Sequence, residues 1–467
     1  MSRLAAVILG SYACDMIKRM TYPAHARAIL ALGVPLVGSH LAQMMLHVTD
    51  TVLMGWYGVN ELAALVLGSS SFFVVFIAGS GFAQAVMPMV AQALGRGDEA
   101  QVRRDARMGL WLSIAFGLAT YPLFWWAEPI LLALGQTPEV AALGQEFLRI
   151  AGLGMVPSLL VMVLKSYLAA LERTQVVLWV TLGAVVVNLG LAWALIFGKG
   201  PFPELGVTGA GIASLAVQVA TFVALAFYAA LLPSLRHFRL FQRFWRADWP
   251  ALVQVFRLGW PIGITSLAEA GLFQASALMM GWIGTIELAA HGIAMEVASL
   301  AFMVHVGLSN AATVRAGRAD GAGDAQGLRD GARAAIAMSV VWGLSMVALF
   351  LTLPGPIIAL FLDTSKPEAA AIIAFGTSLL AMAALFQMAD AMQVMALGLL
   401  RGIRDTRVPM IAAAISYWLI GVPCSYVLAF KVGWGGQGLW LGLTLGLVCA
   451  ALSMMLRFWT RAPRVVA

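Results

Sequence analysis

Twelve long apolar runs, parted by short stretches rich in arginine, glycine and proline, constrain this chain more than any other feature. They fall at about 28–56, 61–93, 106–127, 139–169, 174–198, 207–232, 250–282, 287–315, 332–353, 368–400, 407–430 and 435–459. Crossing about 30 Å of hydrocarbon takes about 20 helical residues, and every run is that long. Runs this continuous exclude barrel strands and leave helices as the spanning form. Composition agrees: 11% of the 467 residues are charged and 61% are apolar, where a soluble domain carries about 25% charged residues. Too little polar surface exists to face water, so lipid must solvate most of the molecule. The sequence predicts an all-α polytopic membrane protein.

The net charge of +7 could point to nucleic acid, but its distribution does not. Arginines gather in alternate loops. Arg96, Arg103, Arg104 and Arg107 lie between spans two and three, and Arg173 follows span four. Arg236, Arg239, Arg243 and Arg246 lie in the middle of the chain. Arg315, Arg318, Arg329 and Arg333 follow span eight, Arg401, Arg404 and Arg407 follow span ten, and Arg457, Arg461 and Arg464 close the chain. The opposite loops offer Lys199, Lys366 and Lys431. Positive loops stay on the cytoplasmic side, so both termini are expected there, in a bacterial inner membrane. Residues 1–27 and 460–467 read as cytoplasmic tails, with translation from Met20 an alternative for the former. The stretch 233–249 spaces arginines among Phe238, Phe241, Phe244 and Trp245, which predicts an amphipathic helix lying on the inner interface.

The chain repeats itself. At an offset of 226 residues Leu32-Gly33-Val34-Pro35 meets Leu258-Gly259-Trp260-Pro261, and Met54-Gly55-Trp56 meets Met280-Gly281-Trp282. Glu61 meets Glu287 at that offset, Gly95-x-Gly97-Asp98 meets Gly321-x-Gly323-Asp324, and Arg103 and Arg107 meet Arg329 and Arg333. At an offset of 227 the glycines of 206–211 meet those of 433–438. Each copy holds six spans, so the copies enter the membrane in the same orientation. This predicts parallel lobes, residues 28–232 and 250–459, about an axis along the membrane normal, a transporter design with substrate between them. One chain holds both lobes, so a monomer suffices.

Four carboxylates fall inside spans, where each costs about 2.5–3.5 kcal/mol even on the lenient insertion scale. They are Asp50 late in span one, Glu269 in span seven, Glu296 in span eight and Asp390 in span ten. Such groups bind Na⁺, carry H⁺ or attract a cationic substrate; otherwise each faces a watery vestibule or a local polar network. Gln387 and Gln393 flank Asp390 by about one turn, on the same face. The expected cation-coupling set is Asp390, Glu269, Gln387 and Glu296, with Asp390 and Glu269 the candidate ligands where the ion is Na⁺ rather than H⁺. Asp50, Asn188 and His291 form the expected substrate or secondary proton site. Asn188 reads equally as an interhelical hydrogen bond, and His291 more simply as a structural histidine. Glu61 and Glu287 suit helix N-termini, and the Gly-x-Gly-Asp loops read as structural. The 24 methionines and 15 tryptophans fit either a plastic cavity or lipid-facing packing.

No phosphate-binding loop, HExxH or GxSxG motif is present, so direct ATP coupling and intramembrane enzymology have nothing to rest on, and no cofactor beyond the coupling ion is expected. Cys14, Cys424 and Cys449 lack metal or redox spacing.

These residues resemble the multidrug and toxic compound extrusion (MATE) family, in its NorM-like bacterial branch. The resemblance is carried by LGVP at 32–35, TDTVLMG at 49–55, FRLGWP at 256–261, ELAAHGIA at 287–294, QMADAMQVMALGLLRGIRDT at 387–406 and ISYWLIGVP at 415–423. It implies a V-shaped pair of six-helix lobes exporting cationic or amphipathic compounds in exchange for inward Na⁺ or H⁺. Asp390 then matches the family's span-ten aspartate, Glu269 its span-seven glutamate, and Asp50 the span-one acid that other branches tie to proton coupling. The chain departs from the family pattern at Phe386, where a tyrosine is frequent, at Glu296, where an amide is expected, and at His305, which replaces a proline. The extra acid favours protons or a more strongly cationic substrate, while the concentration of acids in the second lobe favours Na⁺. The rival within transport is a flippase for lipids or lipid-linked sugars, which would want a basic cavity. Outside transport the rivals are a channel and an intramembrane enzyme.

Overall fold

The computed structural model describes residues 20–363 and 365–462. Twelve helices are long and apolar enough to span a bilayer: α1 (Tyr22–Tyr57), α2 (Val59–Gly95), α3 (Glu99–Trp125), α4 (Pro138–Ala170), α5 (Thr174–Phe197), α6 (Gly206–Leu231), α7 (Trp249–Ile283), α8 (Thr285–Ala322), α9 (Ala325–Thr352), α10 (Ala369–Gly402), α11 (Arg407–Lys431) and α12 (Gly435–Arg461). Short helices Ala127–Ala133 and Pro354–Ala359 follow the third span of each repeat.

The Gly-x-Gly-Asp loops explain why several helices outrun their apolar cores. Gly97 and Gly323 take left-handed φ of 73° and 70°, which ends the preceding helix where a side chain would be strained. Asp98 and Asp324 then cap the next helix, accepting from the backbone N–H of Gln101 and Gly327. α8 therefore runs to Ala322, and α3 and α9 begin at Glu99 and Ala325. α1 likewise starts at Tyr22, inside the stretch read as tail, because Tyr22 and His25 dock on the second lobe through Asp330 and Arg315. Residues 1–19, with Cys14 among them, and Arg464 lie outside the described residues.

The repeat is visible in the packing. α1 crosses α8, α2 crosses α7, and α2 meets α8 on the axis between the lobes. These crossings are closed by glycines related by the 226-residue offset. A Cβ on Gly81 would lie 2.3 Å from the Gly259 carbonyl oxygen, and one on Gly307 would lie 3.1 Å from the Gly33 carbonyl oxygen. On the axis itself, a Cβ on Gly95 would lie 2.3 Å from the Arg318 carbonyl oxygen and one on Gly321 2.1 Å from that of Gln92. All three crossings sit toward the arginine-rich end of the helices. The register of the last pair differs from expectation. Gly209 abuts the Leu195 carbonyl as Gly438 abuts that of Leu428, and α6 and α12 start at Gly206 and Gly435, so the glycines pair two residues later than their spelling suggests.

The expected amphipathic linker helix is not formed. Helix Pro233–Arg236 stops after one turn, and turns follow in which Arg239 and Arg243 take φ of 48° and 53°. The segment tucks under α3, which holds it in place: Arg107 donates to the Arg243 carbonyl at 3.1 Å and Trp111 to that of Phe244 at 2.9 Å. Phe238 and Leu240 are buried there and Phe241 and Phe244 pack against the same core, so these four face protein, while Trp245 stays exposed.

Candidate functional site

Two polar sites lie within the spans, one in each lobe. In the first, Asp50 on α1 accepts from the Asn188 side-chain amide of α5 at 2.7 Å and from the Ser214 hydroxyl of α6 at 3.3 Å. Both readings of Asn188 therefore hold together: it is an interhelical bond and part of a polar site. These groups line a cavity of about 100 Å³ with Gln43, His47 and Gln218. Ser158, also in that lining, has a buried hydroxyl without a partner.

In the second lobe α7 brings Glu269, and α10 brings Gln387, Asp390 and Gln393. Asp390, Gln387 and Gln393 are at most 4% exposed. Glu269 and Asp390 lie within electrostatic reach of one another. One carboxylate oxygen of each, both polar atoms of the Gln387 amide and the Gln393 carbonyl oxygen lack a hydrogen-bond partner among the described residues. Buried polar atoms nearly always find partners, so a cluster of orphaned oxygens at one place marks a site shaped for something positive. Among the described residues no three acidic, histidine or cysteine side chains converge as a metal centre, so a bound cation would rest on two carboxylates and on amide or phenolic oxygens.

The other expected residues part company with this cluster. Glu296 on α8 is half-buried, with no hydrogen bond or ion pair among the described residues. His291 does not join Asp50. Its Nδ1 accepts from the Trp440 indole at 3.1 Å, and its Nε2 faces the Ser276 hydroxyl at 3.5 Å, as a structural histidine does. His305 is paired through Nδ1 with Ser339 at 2.8 Å. Phe386 is buried edge-on against Trp440.

Three residues were missed by the sequence reading. The hydroxyl of Tyr417 on α11 accepts from the Gln393 amide at 2.6 Å and lies in the field of Glu269, Asp390 and Arg401. Arg401, at the end of α10, donates to the Gln84 amide oxygen of α2 at 3.1 Å, across the lobes. Lys165 on α4 reaches Gln43 at 3.5 Å. Both cations answered the criterion applied to the acids, a charge within or bordering an apolar run. Tyr417 carried a different signal. Ile415–Gly421 and Val427–Lys431 are wound as π-helix, a form rare enough to mark function. This winding aims Tyr417 into the site while the Trp418 indole donates to the Ala268 carbonyl at 3.2 Å, beside Glu269.

A chain of twelve spans in two pseudo-symmetric lobes, with carboxylates buried inside both, is built as a membrane transporter. The MatE family model matches residues 35–194 and 261–427, two stretches whose starts are 226 residues apart, and the chain belongs to that family. "Probable multidrug resistance protein NorM" of Rhizobium meliloti (strain 1021) is 48% identical over 96% of both chains. The protein of the same name from Agrobacterium fabrum (strain C58 / ATCC 33970) is 46% identical over 93% of both. Among solved structures, a MATE protein in complex with MaL6 superposes with a TM-score of 0.86 at 20% identity, covering 94% of this chain and 97% of that one. The eukaryotic MATE transporter AtDTX14 superposes at 0.81 with 19% identity, covering 95% and 98%. At that identity the likeness is one of fold, and it is the two-lobed fold expected from the repeat.

Proposed function

We propose that this protein is a multidrug efflux antiporter that exports cationic or amphipathic compounds in exchange for inward Na⁺, with H⁺ as the alternative coupling ion. The observation that carries the reading is the Glu269–Asp390 pair with its unpartnered amide oxygens. Arg401 lies within electrostatic reach of Glu269 and answers at most one of two carboxylates that repel one another, so a further counter-charge is called for: a cation among the oxygens, or a proton on one acid. Competition between that ion and a cationic compound for the same charges yields exchange. The names of the relatives support the drug-resistance role.

In this reading Asp390 and Glu269 hold the ion, Gln387, Gln393 and Tyr417 offer neutral oxygens, and Asp50 with Asn188 and Ser214 form a second site in the other lobe. The arginine-rich loops support cytoplasmic termini, and in this reading the closed glycine crossings face the inner side of a bacterial inner membrane. A flippase for anionic lipids fits less well, because the site is acidic.

The test loads efflux-deficient cells with ethidium and follows fluorescence after a Na⁺ pulse, in wild type and Asp390→Asn. Sodium-triggered export by wild type, lost in the variant, is the expected result. Export that needs only a proton gradient would make the protein a proton antiporter and shift weight to Asp50. No export under either gradient would bring the lipid reading forward.

A further inference from the structure

Six arginines converge on one cavity at the arginine-rich end of the first lobe, about 650 Å³ in volume. Arg103, Arg104 and Arg107 enter from the first turns of α3, and Arg239, Arg243 and Arg246 from the turns that join the lobes. Asp248 is the one acid in the lining, and Arg104 engages it at 2.5 and 3.1 Å. The lining is thus left with five positive charges unanswered.

Arg107 shows what the cavity lacks. It is 7% exposed, and its Nε has no partner among the described residues. A buried donor left unpaired is costly, and the oxygen of an anion is the acceptor to which a guanidinium donates best. The backbone is arranged to the same end. Arg239 and Arg243 sit in the left-handed region, which costs a non-glycine residue about 1–2 kcal/mol each, and the bonds from Arg107 and Trp111 hold that conformation.

Arginines that only set topology need neither converge nor be strained. The other repeat makes the contrast: the counterpart of Arg104 is Asp330, which neutralises Arg333 at 3.5 Å. The cavity therefore belongs to the first lobe rather than to the repeat as such. Trp249 lines it and is 67% exposed, and Trp245, next to the lining residue Arg246 in the chain, is 79% exposed. Tryptophan favours the headgroup level of a bilayer, which places the cavity at the membrane surface.

We propose that this cavity binds the phosphate of an anionic phospholipid headgroup and so ties the segment joining the two lobes to the membrane. Inorganic phosphate offers the same oxygens, and the test separates the two sources. The full-length protein in uncharged detergent is titrated with phosphatidylglycerol or phosphatidylcholine, and retained lipid is counted by native mass spectrometry. The comparison variant is Arg239→Gln with Arg246→Gln, whose side chains make no internal hydrogen bond among the described residues, so folding is spared.

Preferential retention of phosphatidylglycerol, weakened about thirtyfold in the variant, is the expected result. Equal retention of the two lipids overturns the proposal, as does a preference unchanged in the variant. Displacement of phosphatidylglycerol by an equal concentration of inorganic phosphate would make a free anion the ligand and overturn the lipid assignment.

Discussion

Replacing Tyr417 by phenylalanine deletes one oxygen from the second-lobe site and strands the Gln393 amide that donates to it. A buried donor left without a partner costs about 1–3 kcal/mol, so Tyr417→Phe is expected to lower the thermal unfolding midpoint of the purified protein. If the phenol oxygen also serves the ion, the Na⁺ concentration for half-maximal efflux rises in the same variant. A lowered midpoint with unchanged Na⁺ dependence would make Tyr417 structural only. Asp248 offers a pH test outside the spans. The Arg104 guanidinium holds its carboxyl below the usual carboxylate range, so the pair contributes at pH values above that range, and the contribution is lost as pH falls through the lowered value. Asp248→Asn is therefore expected to destabilise at neutral pH, by an amount that shrinks as wild type is acidified. Thermal scans of both proteins over a pH series read this directly.

Among the elements, the glycine crossings give the sharpest expectations. A methyl group at Gly81 meets the backbone of α7, and one at Gly307 meets Val37 and the backbone of α1, so neither can be accommodated by turning a side chain alone. Gly81→Ala and Gly307→Ala are each expected to destabilise by about 1–3 kcal/mol. Gly183→Ala, where nothing lies within 4 Å, is the neutral control; equal midpoints for all three would refute the packing account. These crossings also show how far the sequence could be read. The repeat spelled out the partners Gly33, Gly259 and Pro261 because spans one, two, seven and eight meet on the symmetry axis and share its constraints. Glu269 and Asp390 stood out because a charge in an apolar run is expensive wherever it points. The linker was misread because arginine spacing alone does not reveal that Arg107 and Trp111 capture its carbonyls. Tyr417 escaped because a phenol in a span is unremarkable until π winding gives it a direction.

At the scale of the whole molecule, the lobes are joined at the arginine-rich end by side chains as well as backbone. Gln92 donates to Asp320, Arg318 pairs with Glu172 at 2.7 Å, and Arg401 reaches Gln84. A transporter that alternates must part these contacts. Gln92→Cys with Asp320→Cys, in a background with Cys14, Cys424 and Cys449 replaced by alanine, is expected to stop dye efflux on oxidation and to recover with reductant. Full efflux by the crosslinked protein would show that this end does not open.

The twofold relation between the crossings has a mechanical corollary. α1 against α8 and α2 against α7 are two copies of one joint, hung on either side of the same axle where Gly95 meets Gly321. A movement of the lobes that preserves this relation loosens both copies by the same amount. Under such a movement neither hinge yields first and leaves its twin to hold, and opening is concerted.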